Sequence, residues 1–330
     1  MILAGDIGGT KTTLALFHFE NGKLASTSHH QYASQAYGCF YELLSDFLQT
    51  HADGVIITSA SFGIAGPIIQ ERCVTTNLPW EISAAELRVR LGTSSVSLLN
   101  DLEATAYGML YLDDQEFYDL NPEAKQNHGN RAVIAAGTGL GEAMLYFDGK
   151  AFHPIASEGG HCDFAPLSDQ QDSLLRWLRL KYPLHVSLER ILSGPGIATL
   201  YDFLAESGFA SQPDSIKNMK EEMDKSALIS QEALLNHHPL CHETLRLFSE
   251  IYGAEAGNLA LKSMALGGVY VGGGIAPKIL PFLQTETFFN AFVSKGRFEP
   301  MLRSMPLKIS LNPQTALLGA GYFAHDNHTR

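Results

Sequence analysis

Gly5-Asp6-Ile7-Gly8-Gly9-Thr10-Lys11-Thr12, near the start of the chain, admits two readings that lead to different folds. Read as a phosphate loop of the G-x-x-x-x-G-K-[ST] kind, it would open a helix in a parallel α/β unit. That pattern fails twice: Thr10 stands where a glycine must precede the lysine, and Thr12 to Phe19 continues as a strand rather than a helix. Asn21-Gly22, a two-residue hairpin signal, follows at once, and Leu24 to Tyr32 returns as a third strand. The chain therefore opens as an antiparallel meander. In a strand-turn-strand clamp, glycines let backbone N–H groups approach phosphate oxygens, and Asp6 reaches an accompanying Mg²⁺ directly or through water. Taken alone, the stretch reads equally well as an ordinary hairpin turn.

Downstream, Tyr37 to Thr50 carries Phe40, Leu43, Leu44, Phe47 and Leu48 at helical spacing, and Val55 to Phe62 resumes a strand. Ser95 to Leu99 is a further strand ending at Asn100-Asp101, and Leu102 to Leu112 reads as a helix. The opening then recurs. Ala132 to Ala136 is a strand, Gly137-Thr138-Gly139-Leu140-Gly141 a tight turn, and Glu142 to Phe147 a strand running into Asp148-Gly149-Lys150. Gly137-Thr138 lies 128 residues after Gly9-Thr10, and Asp148-Gly149-Lys150 lies 127 after Asn21-Gly22-Lys23, so two related halves are expected. Tyr201 to His242 is rich in Ser, Asp, Lys, Gln and His and reads as an exposed helical insertion. Glu250 to Met264 is an Ala/Leu-rich helix, Val269 to Val271 a short buried strand, and Thr315 to Ala324 a helix of small residues suited to close packing.

Chemistry-bearing residues fall at the turns. A triphosphate needs donors from both sides, which two equivalent Gly-Thr turns supply; Gly272-Gly273-Gly274 offers a third close approach, flat against a nucleobase and ribose. Asp101, where a strand meets a helix, reads as an N-cap or as a base for an attacking hydroxyl, and the two roles are compatible. Ser157-Glu158-Gly159-Gly160-His161-Cys162-Asp163 gathers carboxylates and an imidazole in a glycine-flexed loop; its spacing suits a polyol better than a metal. Glu189 would add a carboxylate, although alone it reads as a helix-surface residue.

Composition narrows the class. Across 330 residues, Lys+Arg 23 against Asp+Glu 35 gives a net charge of −12, which argues against nucleic acid or an anionic membrane as partner. With 45% hydrophobic and 18% charged residues, the chain buries a large core. Cys39, Cys73, Cys162 and Cys241 form no C-x-x-C pair, so reduced, buried thiols are expected. No leader-like or membrane-spanning run is present in the sequence, and a cytoplasmic protein is expected. Asn327-His328-Thr329 then matches a glycosylation acceptor by chance.

Together, Gly5 to Lys11, Thr76-Asn77-Leu78-Pro79-Trp80, Leu99-Asn100-Asp101, Gly137 to Gly141, Ser157 to His161, Glu189 with Leu192-Ser193-Gly194-Pro195-Gly196, and Gly272-Gly273-Gly274 resemble the bacterial-type glucokinases of the sugar kinase, actin and heat-shock ATPase superfamily. The resemblance implies two ribonuclease-H-like α/β domains of the actin-like ATPase fold with a cleft between them. It sets a small domain at 1–108 plus about 312–330 against a large one at 109–311 carrying the helical insertion at about 201–243. It implies that Asn100, Asp101, Glu158, His161 and Glu189 contact glucose, with Asp101 as base. ATP is held by Asp6, Gly8, Gly9, Thr10, Lys11, Gly137, Thr138, Gly139, Gly272, Gly273 and Gly274, with Asp6 toward Mg²⁺. Related repressor-kinases carry a cysteine-rich zinc motif after their Glu-x-Gly-His; here Cys162-Asp163-Phe164 follows His161, so no structural zinc is expected. A homodimer is usual among such proteins. Two rivals remain: a kinase for mannose, fructose or an N-acetylated amino sugar, and a non-catalytic actin-like ATPase or sugar-sensing module. A sensor would need a DNA-binding extension, for which a first turn at residue 5 leaves no room, and a filament or chaperone has no use for the Glu-Gly-Gly-His loop.

Overall fold

The structure, a computed structural model, describes residues 1–125 and 127–329. Its contacts divide the chain into two units: Met1–Phe117 with Ala143–Ala156 and Asn312–Arg330, and Tyr118–Glu142 with Ser157–Leu311.

The first unit is built on strands β1 (Ile2–Ile7), β2 (Lys11–Glu20), β3 (Lys23–Ala33) and β4 (Ser59–Ile64). The short strands β5 (Ile68–Ile69), β6 (Arg72–Val74) and β7 (Glu81–Ser83) form a sheet of their own, and β8 (Val96–Asn100) completes the main one in the order β3-β2-β1-β4-β8. β1 to β3 are the expected antiparallel meander, whereas β4 and β8 run parallel to β1. Alternation along β1 feeds two cores. Leu3 and Ile7 face Phe40, Leu43, Leu44 and Phe47 of the helix Phe40–His51, while Ile2 and Ala4 face Leu317, Ala320 and Ala324 of the helix Thr315–Thr329. That last helix packs closely on Asp101–Gly108, with Gly108 against Thr315 and Gly319 against Ala104, as its small residues suggest.

Strand ends differ from the sequence reading. β1 runs on through Gly5, Asp6 and Ile7 because β4 continues to pair with it up to Ile7↔Ile64, so Asp6 belongs to the strand and not to the turn. Val55 to Thr58 is not strand; Val55 N–H closes a turn to Ala52 O at 3.0 Å, and pairing begins at Ser59. The helix after Asn100 stops at Gly108, short of Leu112.

The remaining strands, β9 (Phe117–Asp119), β10 (Arg131–Ala136), β11 (Leu140–Phe147), β12 (Phe152–Ser157), β13 (Val269–Gly272) and β14 (Leu307–Ser310), form a sheet of order β12-β11-β10-β13-β14-β9. Its first five positions repeat the order of the first sheet, with β13 and β14 again parallel to β10. The helix Pro239–Ser263 is buried on nearly all sides and begins well before the expected Glu250. It packs against the helices Gly194–Glu206, Lys225–Leu234 and Glu286–Val293. Residues 201–243 span the end of Gly194–Glu206, the helices Asp214–Lys217 and Lys225–Leu234 and the start of Pro239–Ser263, and they are not simply exposed: Tyr201, Leu204, Ile229, Ala233, Leu240 and Cys241 are buried. Among the described residues no helix is long and apolar enough to cross a membrane.

Candidate active site

In the first unit the candidate residues collect at the carboxyl ends of three parallel strands, since Ile7, Ile64 and Asn100 are in register. The Gly8-Gly9-Thr10 turn is closed by Gly8 N–H to Lys11 O at 3.0 Å. Ser34 braces it from outside: its hydroxyl donates to Gly8 O at 2.8 Å and its N–H to Thr10 O at 3.0 Å. Over Gly9 lies Asn77, whose Cβ would sit 2.8 Å from any Cβ added there, so Gly9 is required by close approach. Thr10 and Lys11 are exposed at the rim.

Asp6 lies one residue before the end of β1. Burial pushes its carboxyl up to about 6, the mark of a carboxylate held in low dielectric without compensating charge. Such a group fits a magnesium ion delivered with a nucleotide, which takes one or two protein carboxylates and fills its remaining positions with phosphate and water. Bound there, the ion would neutralise phosphate charge. No group of three or more His, Cys, Asp or Glu converges as a metal cage among the described residues.

Asn100, not Asp101, caps the helix. Its Oδ1 accepts from Leu102 N–H at 2.9 Å, and Glu103 Oε2 accepts from Asn100 N–H at 2.9 Å, completing a capping box. Asn100 Nδ2 also donates to Gly66 O at 3.2 Å, and with Oδ1 accepting from the backbone of both Leu102 and Glu103, one amide hydrogen remains for a ligand. Asp101 becomes the first helical residue, half-buried, with Oδ1 accepting from Leu102 N–H at 2.9 Å. A carboxylate at a helix N-terminus is held by the helix dipole, an orientation that suits a fixed proton acceptor.

The second unit gathers the other candidates around the ends of β10 and β13. The Gly137-Thr138-Gly139 turn is closed by Gly137 N–H to Gly139 O at 2.8 Å, and Gly137 O accepts from Gly194 N–H at 2.8 Å. Glu189, in a 3-10 turn, is no surface residue. Its Oε2 accepts from Leu140 N–H at 3.0 Å and occupies the space where a Cβ on Gly139 would go. Gly272 ends β13; Gly273, at φ +81, presses on Ala136 O, which immediately precedes Gly137. Gly274 is open on its Cβ side. Two of the three glycine turns and one of the carboxylates therefore meet at the carboxyl ends of β10 and β13.

Glu158 and His161 are exposed in a loop that folds into a 3-10 turn, Gly159–His161, with His161 N–H donating to Glu158 O at 3.0 Å. The loop is tied down beyond by Leu188 N–H to Cys162 O at 2.9 Å, which links it to the Glu189 turn. Its glycines lie directly on β11: Leu140 O and Glu142 Oε2 fill the places of Cβ atoms on Gly160 and Gly159.

Three contributors escaped the sequence reading. Glu103 was readable, since Asn-x-x-Glu before a helix is the capping-box spacing. Ser34 and Glu142 act across the fold and carry no local signal, and Asn77, noted only within Thr76-Asn77-Leu78-Pro79-Trp80, gains its contact with Gly9 from the fold.

A family model described as Glucokinase matches residues 3–327. A glucokinase of Nostoc punctiforme is 39% identical over 337 residues, spanning 98% of this chain and 98% of that protein. The crystal structure of a glucokinase from an Antarctic psychrotroph superimposes with a TM-score of 0.84 at 32% identity, covering 98% of each chain. A ROK family glucokinase from Streptomyces griseus, solved with glucose and AMPPNP, shares the fold with a TM-score of 0.67 at 19% identity, over 98% of this chain and 99% of that one.

Proposed function

The chain belongs to the glucokinase family, with the α/β fold of the actin-like ATPase sugar kinases, and from that premise we propose that it transfers the γ-phosphoryl group of ATP to the 6-hydroxyl of D-glucose. The observation that carries this reading is the meeting of the Gly137 turn, Gly273 and the Glu189 carboxylate at the carboxyl ends of β10 and β13. It supports a site in which the turns donate to a polyphosphate and the carboxylate accepts from a sugar hydroxyl. Asn100, Asp101, Glu158, His161 and Glu189 receive glucose. The turns at Gly8 to Lys11, Gly137 to Gly139 and Gly272 to Gly274 receive ATP, and Asp6 receives its magnesium ion.

Phosphoryl transfer asks little covalent chemistry of the protein. The turns align the triphosphate, the carboxylates orient the sugar hydroxyls, and Asp101 accepts the 6-hydroxyl proton as the oxygen attacks phosphorus. That base supplies about 10²–10⁴-fold of the acceleration. Exclusion of water follows from a site completed only when sugar is bound, so ATP hydrolysis without sugar is slow. The same proposal includes a division of labour between a small domain at 1–108 plus about 312–330 and a large one at 109–311, a homodimer, and residence in the cytoplasm.

A coupled assay of ADP release with glucose, mannose, fructose and N-acetylglucosamine tests the reading. Glucose is expected to give the highest kcat/KM; absence of any sugar-dependent ADP release would overturn the kinase assignment, and preference for another sugar would overturn the substrate.

A further inference from the structure

Glu142 is a carboxyl where none is expected, on a strand in the interior, 1% exposed, with Oε1 enclosed and without a hydrogen-bond partner among the described residues. From the helix Pro239–Ser263 it faces Glu255, itself 3% exposed, whose oxygens accept from Lys262 Nζ at 3.0 Å and Asn258 Nδ2 at 2.8 Å. Tyr252 approaches from the same helix. Lys295 Nζ is spent on Ala254 O at 2.9 Å and Asn258 Oδ1 at 2.7 Å, and Cys162 lies within the field of Lys262. The single bonded cation is thus matched to Glu255, and no second one remains for Glu142. On its other side Glu142 Oε2 fills the space beneath Gly159, next to Glu158 in the loop assigned to the sugar.

We propose that Glu142 is a positioning residue of the sugar loop: its carboxyl, wedged between Glu255 and Gly159, sets the depth at which Glu158 and His161 stand. The inference rests on the glucose-binding role given to that loop above. Burial first, and then the charge of Glu255, pushes the Glu142 carboxyl up to about 7, against the opposing pull of Lys262. Below that pH the carboxyl is neutral and tolerates its neighbour. Above it, ionisation sets two carboxylates against each other in the interior, and the wedge moves.

The first arm of the test needs no sugar. Hydrogen exchange at the His161 and Cys162 amides, whose bonds close the loop turn, is expected to quicken about tenfold in Glu142→Ala and to stay slow in Glu142→Gln, which keeps the shape without the charge. Equal exchange in wild type and Glu142→Ala would overturn the proposal. In the second arm, the wild-type KM for glucose is expected to rise several-fold between pH 6 and pH 8 while that for ATP stays within about twofold, and Glu142→Gln is expected to flatten the glucose profile. Superposable KM profiles of wild type and Glu142→Gln would also overturn it, and this arm stands even where Glu142→Ala fails to fold. Failure of the wild type to phosphorylate glucose would sink the kinase reading alone, since the exchange arm is read without it.

Discussion

At an offset of 128 residues, Gly9-Thr10 of the first half corresponds to Gly137-Thr138 of the second; at the same offset Asp6 falls opposite Ile134, and Leu14 opposite Glu142. Ile134 and Leu14 are both fully buried. The two strand-turn-strand openings share their glycines and have moved their acids, one to the strand before the turn and the other to the strand after it. Their braces differ in the same sense: neutral Ser34 and Asn77 hold the first turn, whereas the Glu189 carboxylate holds the second. The glycines are shared in position but not in surroundings: Gly9 is closely approached by Asn77, whereas a Cβ on Gly137 would meet open space. The proposed function divides the acids between the halves, assigning a cation to Asp6 and a proton to Asp101 in the first, and sugar hydroxyls to Glu158 and Glu189 in the second.

The largest effect should come from testing that division. Asp101→Asn is expected to cut kcat by about 10²–10⁴-fold with the KM for glucose changed by a small factor. Glu158→Gln is expected to do the reverse, losing a hydrogen bond to a charged group worth about 1.5–3 kcal/mol, which is about 10–150-fold in KM for glucose. Steady-state kinetics separates the two. Losses in the same parameter for both variants would break the comparison, and normal turnover in Asp101→Asn would remove that residue from the chemistry.

Next comes the exchanged pair, Leu14 and Glu142. A carboxyl raised from 4.5 to about 7 in the folded state keeps a proton that the unfolded chain releases, so stability falls as pH rises between those values. The loss is at most about 3 kcal/mol at 1.36 kcal/mol per pH unit. Urea unfolding at pH 5 and pH 8 should show Glu142→Gln gaining on wild type at the higher pH. Leu14→Gln, at the matching position of the first half, should lose stability equally at both, because it buries an amide with no titration to relieve.

Much of this was open to the sequence. Thr10 in place of a glycine and the Asn21-Gly22 hairpin sufficed to reject a phosphate loop, and β1 to β3 are the resulting meander. Periodicity likewise located Phe40 to His51. Strand ends were less legible: pairing with β4, 57 residues away at Ile7↔Ile64, carries β1 through Gly5 and Asp6, while β4 itself begins at Ser59 and not at the expected Val55. Glu189, which alone reads as a helix-surface residue, takes its place from a bond to Leu140 N–H, 49 residues away in sequence. Glu142 lies in a strand of otherwise ordinary pattern; only Glu255 and Gly159, brought to it by the fold, give it meaning.

The smallest effect tests the shared glycines themselves. A Cβ on Gly9 meets Asn77 Cβ at 2.8 Å, while one on Gly137 meets nothing within 4 Å. Gly9→Ala should therefore lower stability by about 1–3 kcal/mol, because Asn77 Cβ is fixed to its backbone and yields only if that backbone shifts. Gly137→Ala should stay within about 0.5 kcal/mol of wild type. If the second turn approaches phosphate as the first does, Gly137→Ala nevertheless raises the KM for ATP, because the methyl group occupies space that only a ligand would claim. A Gly137→Ala variant with unaltered stability and unaltered KM for ATP would show that the two turns share a shape without sharing a task.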